Sequence, residues 1–162
     1  MNLKLKFSIV FAVLMTVCIS YWQLEASKTI PNTVFKNLKG ESFDLADLKD
    51  KPMLVTFWAP DCTGCIEEIP DLIDLHREFS DQGLTIIAVA MNYSPPNQVL
   101  ALAENKQLPY QVVLDPDASI AKNFGNIQLT PTSFLIDRKG AIVMQKVGKF
   151  DLTAIKEIIK SL

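Results

Sequence analysis

Two cysteines, Cys62 and Cys65, carry the clearest chemistry in this sequence, with Thr63 and Gly64 between them. They follow the segment Phe57-Trp58-Ala59-Pro60-Asp61. There the apolar run Met53–Trp58 breaks, and a stretch with helical periodicity begins. Sulfurs at positions i and i+3 of a first helical turn share one face and can close a small disulfide ring. The free N–H groups and partial positive charge of a helix N-terminus stabilise a thiolate there. A Cys-x-x-Cys thiol so placed drops from about 8.5 into a range of about 3.5–7.5. Cys62, at the helix end, is the candidate nucleophile on a substrate disulfide. Cys65, one turn deeper, is the candidate resolving thiol.

Other uses of the pair fit less well. Tetrahedral zinc takes four ligands. The remaining ligands of that type are Cys18, in an apolar N-terminal stretch, and His76, farther along the same predicted helix. A copper-binding chaperone with Cys62 and Cys65 as soft ligands is an alternative of a different class, but it wants a distant histidine. His76 is too near, and its pattern position suits a solvated helix face. A purely structural disulfide of this size constrains little chain entropy. Exchange chemistry is the stronger reading, and it calls for no metal and no cofactor.

The chain has 162 residues, 49% hydrophobic and 21% charged, with a formal net charge of −2. That balance excludes disorder and gives no basic footprint for nucleic acid. Much of the apolar mass lies at the front. Lys4 and Lys6 precede an uncharged run from Phe7 to Leu24, the pattern of a signal peptide or a membrane anchor. Residues 1–25 are assigned to that segment, with an uncleaved anchor favoured over cleavage after Ser20. The two lysines then stay inside and the body is exported. Residues 26–32 form a short linker, and residues 33–162 are long enough for one domain with one core.

Within the body, Thr33–Asn37 and Ser42–Asp44 flank a turn at Lys39-Gly40-Glu41, and Asp44–Lys49 suits a helical turn. Met53–Trp58 and Leu84–Met91 are continuous apolar runs rich in β-formers, the pattern of buried strands. Ile66, Ile69, Leu72, Ile73 and Phe79 place a helix between them, kinked by Pro70 and ended by Gly83. Further helices are predicted over Gln98–Lys106, Asp117–Phe124 and Asp151–Leu162. Further strands are predicted over Tyr110–Leu114, Thr132–Ile136 and Ala141–Val147. This alternation predicts an α/β domain: a mixed sheet covered by helices and ending in an antiparallel hairpin.

The segment Phe57-Trp58-Ala59-Pro60-Asp61-Cys62-x-x-Cys65 resembles the active site of the thioredoxin superfamily. Cys65-Ile66-Glu67-Glu68-Ile69-Pro70 is similar to the Cys-x-x-Glu-x-Pro continuation of its TlpA/ResA branch. Leu38-Lys39-Gly40-Glu41 with Phe43-Asp44-Leu45, and Leu135-Ile136-Asp137-Arg138-Lys139-Gly140, resemble the same branch. The resemblance spans about residues 33–160. It implies a thioredoxin-like fold with an N-terminal β-hairpin and an inserted helix at Pro95–Lys106. It also implies a cis Pro131 facing the dithiol, with the Thr130 backbone open to an extended substrate. Trp58 is then a candidate for the docking surface or for core packing, and Tyr93 for the groove border.

Thr63-Gly64 departs from relatives that carry a proline before the second cysteine. Thr56 stands where thioredoxins have a buried acid, and the ResA-like glutamate after the third strand aligns near Tyr93. Glu68 is the remaining candidate to assist Cys65, with an ordinary helix position as the equal alternative. The resemblance implies a monomeric extracytoplasmic thiol–disulfide oxidoreductase on the periplasmic side of a bacterial inner membrane. Its clients would be exported proteins with cysteine pairs, for instance during cytochrome c or metalloprotein maturation. Its electrons would come from a membrane donor of the DsbD or CcdA kind. A peroxiredoxin-type thiol peroxidase shares the architecture, but it needs Thr-x-x-Cys where this chain has Trp-Ala-Pro-Asp before Cys62.

Overall fold

A computed structural model describes residues 33–48 and 50–162, together with Met15 alone in the N-terminal stretch. The anchor or signal segment and the linker therefore lie outside the described residues. Among the described residues, no helix is long and apolar enough to cross a membrane.

The chain opens with an antiparallel pair, β1 (Val34–Lys36) and β2 (Ser42–Asp44), followed by the expected helical turn, which is a 3₁₀ turn at Leu45–Leu48. Asn37 closes the hairpin. Its side-chain oxygen accepts the N–H groups of Lys39 and Glu41, and its amide nitrogen donates to Glu41 and Gln111. The rest of the order is β3 (Met53–Trp58), α1 (Thr63–Phe79), β4 (Thr85–Ala90), α2 (Pro96–Asn105), β5 (Gln111–Leu114), α3 (Ser119–Asn123), β6 (Thr132–Ile136), β7 (Ile142–Val147) and α4 (Leu152–Lys160).

These strands form a five-stranded sheet in the order β5-β4-β3-β6-β7. β3, β4 and β5 run parallel, and β6 and β7 are antiparallel to their neighbours. The continuous apolar run of β3 follows from its central place, since both faces of the sheet are covered. Leu54 and Trp58 join one cluster with Leu72, Leu75 and Phe79 of α1 and Ile155 and Ile159 of α4. Met53, Val55 and Phe57 join the other, with Phe35 of the hairpin and Ile120 and Phe124 around α3. In that second cluster the rings of Phe57, Phe124 and Phe134 meet edge to face, with centroids 5.2–6.1 Å apart, the arrangement their quadrupoles favour.

α1 continues through Pro70 to Phe79. Gly83 ends the unit in the left-handed region, at φ 97°, where a side chain would be strained. Its turn sends Leu84 N–H back to the Phe79 carbonyl at 3.0 Å and aims the chain into β4. α3 is shorter than its sequence pattern. Ala118 already sits at φ 58°, and the buried Asp115 carboxylate accepts the N–H groups of Ile120 and Ala121 at 3.0 and 2.8 Å. A side-chain cap thus starts the helix later than the apolar spacing indicates. α4 begins as expected, with Asp151 accepting from Ala154 N–H at 2.9 Å. Lys156 ties it to α1 through Asp74 and Glu78.

Phe134 is almost fully buried, and its ring touches both other aromatics of its cluster. Phe134→Ala is expected to cost about 3–5 kcal/mol. Urea denaturation should show this as a lower midpoint with an unchanged slope.

Candidate active site

The dithiol sits where β3 gives way to α1, at the end of the sheet that also holds the β4–α2 turn and the start of β6. Cys62 is the N-cap of α1, with extended backbone, and its sulfur accepts the Cys65 N–H at 3.2 Å. The Cys62 carbonyl takes the N–H groups of Cys65 and Ile66. A residue that must be extended while its neighbours turn helical is therefore fixed by the helix it starts. Cys62 and Cys65 are joined by a disulfide, with Cα atoms 5.2 Å apart. Cys62 is half-buried and Cys65 is buried. This asymmetry separates a sulfur that a substrate can reach from one that only its partner can reach.

The Thr130–Pro131 peptide bond is cis. Pro131 lies over the dithiol turn: a Cβ placed on Gly64 would stand 3.5 Å from the proline Cδ. The loop is held on both sides. Thr132 Oγ1 donates to the Leu129 carbonyl at 2.7 Å, and Gly148 N–H donates to the Pro131 carbonyl at 2.8 Å. Among the described residues, neither backbone group of Thr130 has a hydrogen-bond partner.

Beneath the dithiol is a small cavity lined by Cys65, Glu68, Trp58, Thr56 and Tyr110, among others. Thr56, in the place of the expected acid, accepts a hydrogen bond from Ser133 Oγ at 2.9 Å across the β3–β6 pair. The acid of the site comes from the helix instead. Glu68 is 1% exposed, and one of its carboxylate oxygens accepts the Phe150 N–H at 3.1 Å. Burial pushes its pKa up to about 7, assisted by the nearby Asp71 charge. The Phe150 hydrogen bond and Lys149 oppose the rise without cancelling it. Tyr110 faces the same space. Burial, and secondarily the Glu68 charge, push its phenol above its ordinary range.

The structure thus brings Cys62, Cys65, Pro131, Thr130 and Glu68 together. Trp58 is placed differently from a docking residue. It is 5% exposed and packs with Cys65 in the core, so it backs the dithiol instead of meeting a client. Its indole N–H is buried without a partner. His76 is half-buried, not solvated, and its Nδ1 also lacks a partner. Tyr93 is exposed and Ser94 buried in the turn after β4. Tyr110 was not singled out by its sequence pattern; its only sequence signal is an aromatic with a polar tip opening a buried strand. Among the described residues, no group of metal-ligating side chains is positioned to hold an ion.

A half-buried and a buried cysteine in one disulfide at a helix start, under a cis-proline, form a reversible dithiol site. The Redoxin family model matches residues 25–159. The chain belongs to the Redoxin family. This Redoxin chain is 30% identical over 140 residues to the thiol-disulfide oxidoreductase ResA of Bacillus thuringiensis subsp. konkukian (strain 97-27), covering 86% of this chain and 80% of that one. It is 31% identical to the thioredoxin-like protein YneN of Bacillus subtilis (strain 168), covering 77% and 73% of the two chains. Its fold superposes on a thiol:disulfide interchange protein of the thioredoxin family from Chlorobium tepidum TLS. The TM-score is 0.76 at 26% identity, over 83% of this chain and 95% of that one. It is a TlpA/ResA-like thiol–disulfide oxidoreductase with a Cys62–Cys65 pair.

Glu68 has a measurable signature. Its folded pKa of about 7 lies above the ordinary glutamate value of 4.5, so the folded state holds a proton that the unfolded state releases. That contribution to stability is complete below about pH 4.5 and is lost as the pH rises through about 7, by on the order of 3 kcal/mol. Urea titrations of the oxidised protein across this window should show the decline, and Glu68→Gln should flatten it.

Proposed function

We propose that this oxidoreductase acts as a reductant of exported proteins on the extracytoplasmic side of a bacterial inner membrane, tethered by its N-terminal segment. The carrying observation is the pairing of a reachable Cys62 with a buried Cys65 that shares its cavity with Glu68. In the reduced state the Cys62 thiolate attacks a client disulfide. A mixed disulfide forms and one client thiolate leaves. Cys65 gives up its proton, and its thiolate attacks Cys62 Sγ. The mixed disulfide breaks, the second client thiolate leaves, and the Cys62–Cys65 bond forms. Two electrons pass from the protein to the client.

Glu68 is the proton acceptor for Cys65 in this scheme. A base serves best when its pKa lies near the working pH, and Glu68 stands at about 7. The free Thr130 backbone offers an extended client segment a place to pair. The reductive direction is what the sequence resemblance to the TlpA/ResA branch implies. It implies clients such as apocytochrome c or another protein whose cysteines must be free before cofactor insertion. A membrane donor of the DsbD or CcdA kind then reduces Cys62–Cys65 again.

Incubating the reduced full chain with a disulfide-bonded polypeptide should yield client thiols. Cys62→Ser should abolish the reaction, and Cys65→Ser should accumulate the mixed disulfide; retained turnover in Cys62→Ser overturns the scheme. Equilibration against a dithiothreitol series should place the couple near the thioredoxin value of about −270 mV, whereas a value near −120 mV would mark an oxidant.

A further inference from the structure

The cavity that holds Glu68 is thinly walled on one side. It measures about 10 Å³, and core residues of the sheet and of α1 enclose most of it. Leu108 and Tyr110 complete its boundary. The same two residues line an open groove of about 190 Å³ between the hairpin and α2. Leu38 and Lys39 form one bank of that groove, and Ala103 belongs to the other. Two residues therefore stand between an open groove and a buried carboxylate.

The backbone explains why both serve one wall. α2 gives way to a left-handed residue, Gln107 at φ 49°, and Leu108 N–H returns to the Ala103 carbonyl at 3.0 Å. Pro109 disfavours a helical Leu108 and keeps the chain extended. Alternate residues of an extended chain share a face, so Leu108 and Tyr110 point together. Burial follows the alternation: Leu108 is half-buried, Pro109 exposed and Tyr110 buried. Leu38 N–H donates to the Val112 carbonyl at 3.1 Å, which fixes the hairpin bank of the groove against the strand.

The wall matters because burial is the largest cause of proton uptake by Glu68 near neutrality. Water reaching the carboxylate would solvate the anion and return it towards ordinary glutamate behaviour. The charged neighbours do not replace the wall. Asp71 on α1 favours the protonated form, and Lys149, before α4, opposes it. These two are paired with each other at 3.3 Å. Burial keeps Tyr110 neutral, and Cys65 is held in the disulfide. We propose that Leu108 and Tyr110 are positioning residues that keep groove water from Glu68 and so set the pH range in which it takes the Cys65 proton. This rests on the proton-acceptor role given to Glu68 above. It places control of that role at the entry to the edge strand β5, through the carboxylate and not through the client.

The test reads Glu68 in the oxidised full chain, by NMR of isotope-labelled glutamate through a pH titration. Glu68→Gln identifies its signal. Tyr110→Ala and, separately, Leu108→Ala open the wall. Each is expected to lower the Glu68 midpoint by about one pH unit, a ten-fold loss of proton affinity, within the ~3–5 units that full burial can impose. Tyr110→Phe keeps the ring and should keep the wild-type midpoint. Val113→Ala truncates a buried side chain of the same strand in the opposite cluster. It should also keep the midpoint, which separates loss of the wall from general loosening. Tyr110→Leu and Leu108→Val are read by the same criteria where an alanine variant does not fold. The pH profile for release of the second client thiol, from a disulfide-linked peptide dimer, should move with the Glu68 midpoint. A midpoint unmoved by opening the wall, or moved as far by Tyr110→Phe or Val113→Ala, overturns this proposal and leaves the exchange reading standing. A moved midpoint with an unmoved release profile overturns the proton-acceptor role of Glu68 and this proposal with it. No thiol release by the wild-type chain overturns the exchange reading itself.

Discussion

The burial of one carboxylate organises this site. Glu68 reaches the core because it lies three residues after Cys65 on α1, on the face turned towards the sheet. A carboxylate carried out of water is costly unless its charge is satisfied or suppressed. Here a single backbone N–H, that of Phe150, satisfies part of it, and proton uptake near neutrality suppresses the rest. The same burial that makes Glu68 expensive as an anion brings its pKa to about 7, the property that the proposed role as proton acceptor for Cys65 draws on. The remaining features serve this geometry. β3 and α1 fix the distance between the sulfur and the acid, and the clusters on both sheet faces keep water away.

Much of this was legible in the sequence. Cys62-x-x-Cys65 after a buried run, followed by helical periodicity, locates both the chemistry and its place at a strand–helix junction. The alternation of apolar runs and helical stretches gives the mixed sheet. The helix ends were harder to read, because they depend on side-chain caps. Asp115 starts α3 late by holding two amides, and no hydrophobic pattern records that.

The acid was the least legible part. A search for a buried carboxylate at its usual strand positions finds Thr56 and Tyr93. The acid that the structure places under the dithiol comes from the helix, and its amide partner lies in a loop 82 residues away. Sequence spacing cannot show such a contact. Trp58 was ambiguous for a related reason. An aromatic at the end of a strand can face either solvent or core, and only the packing of α1 against the sheet decides it.

The short segment from Gly148 to Asp151 joins parts that otherwise belong to different elements. Gly148, at φ 81°, turns its N–H to the Pro131 carbonyl. Phe150 gives its N–H to Glu68, and Asp151 starts α4. These few residues of backbone therefore splice the cis-proline loop to the buried carboxylate. When Glu68 gains or loses its charge, the pull on the Phe150 amide changes, and that amide is two residues from the bond that holds the cis-proline loop. The cis-proline loop and the buried carboxylate thus hang from one short length of main chain.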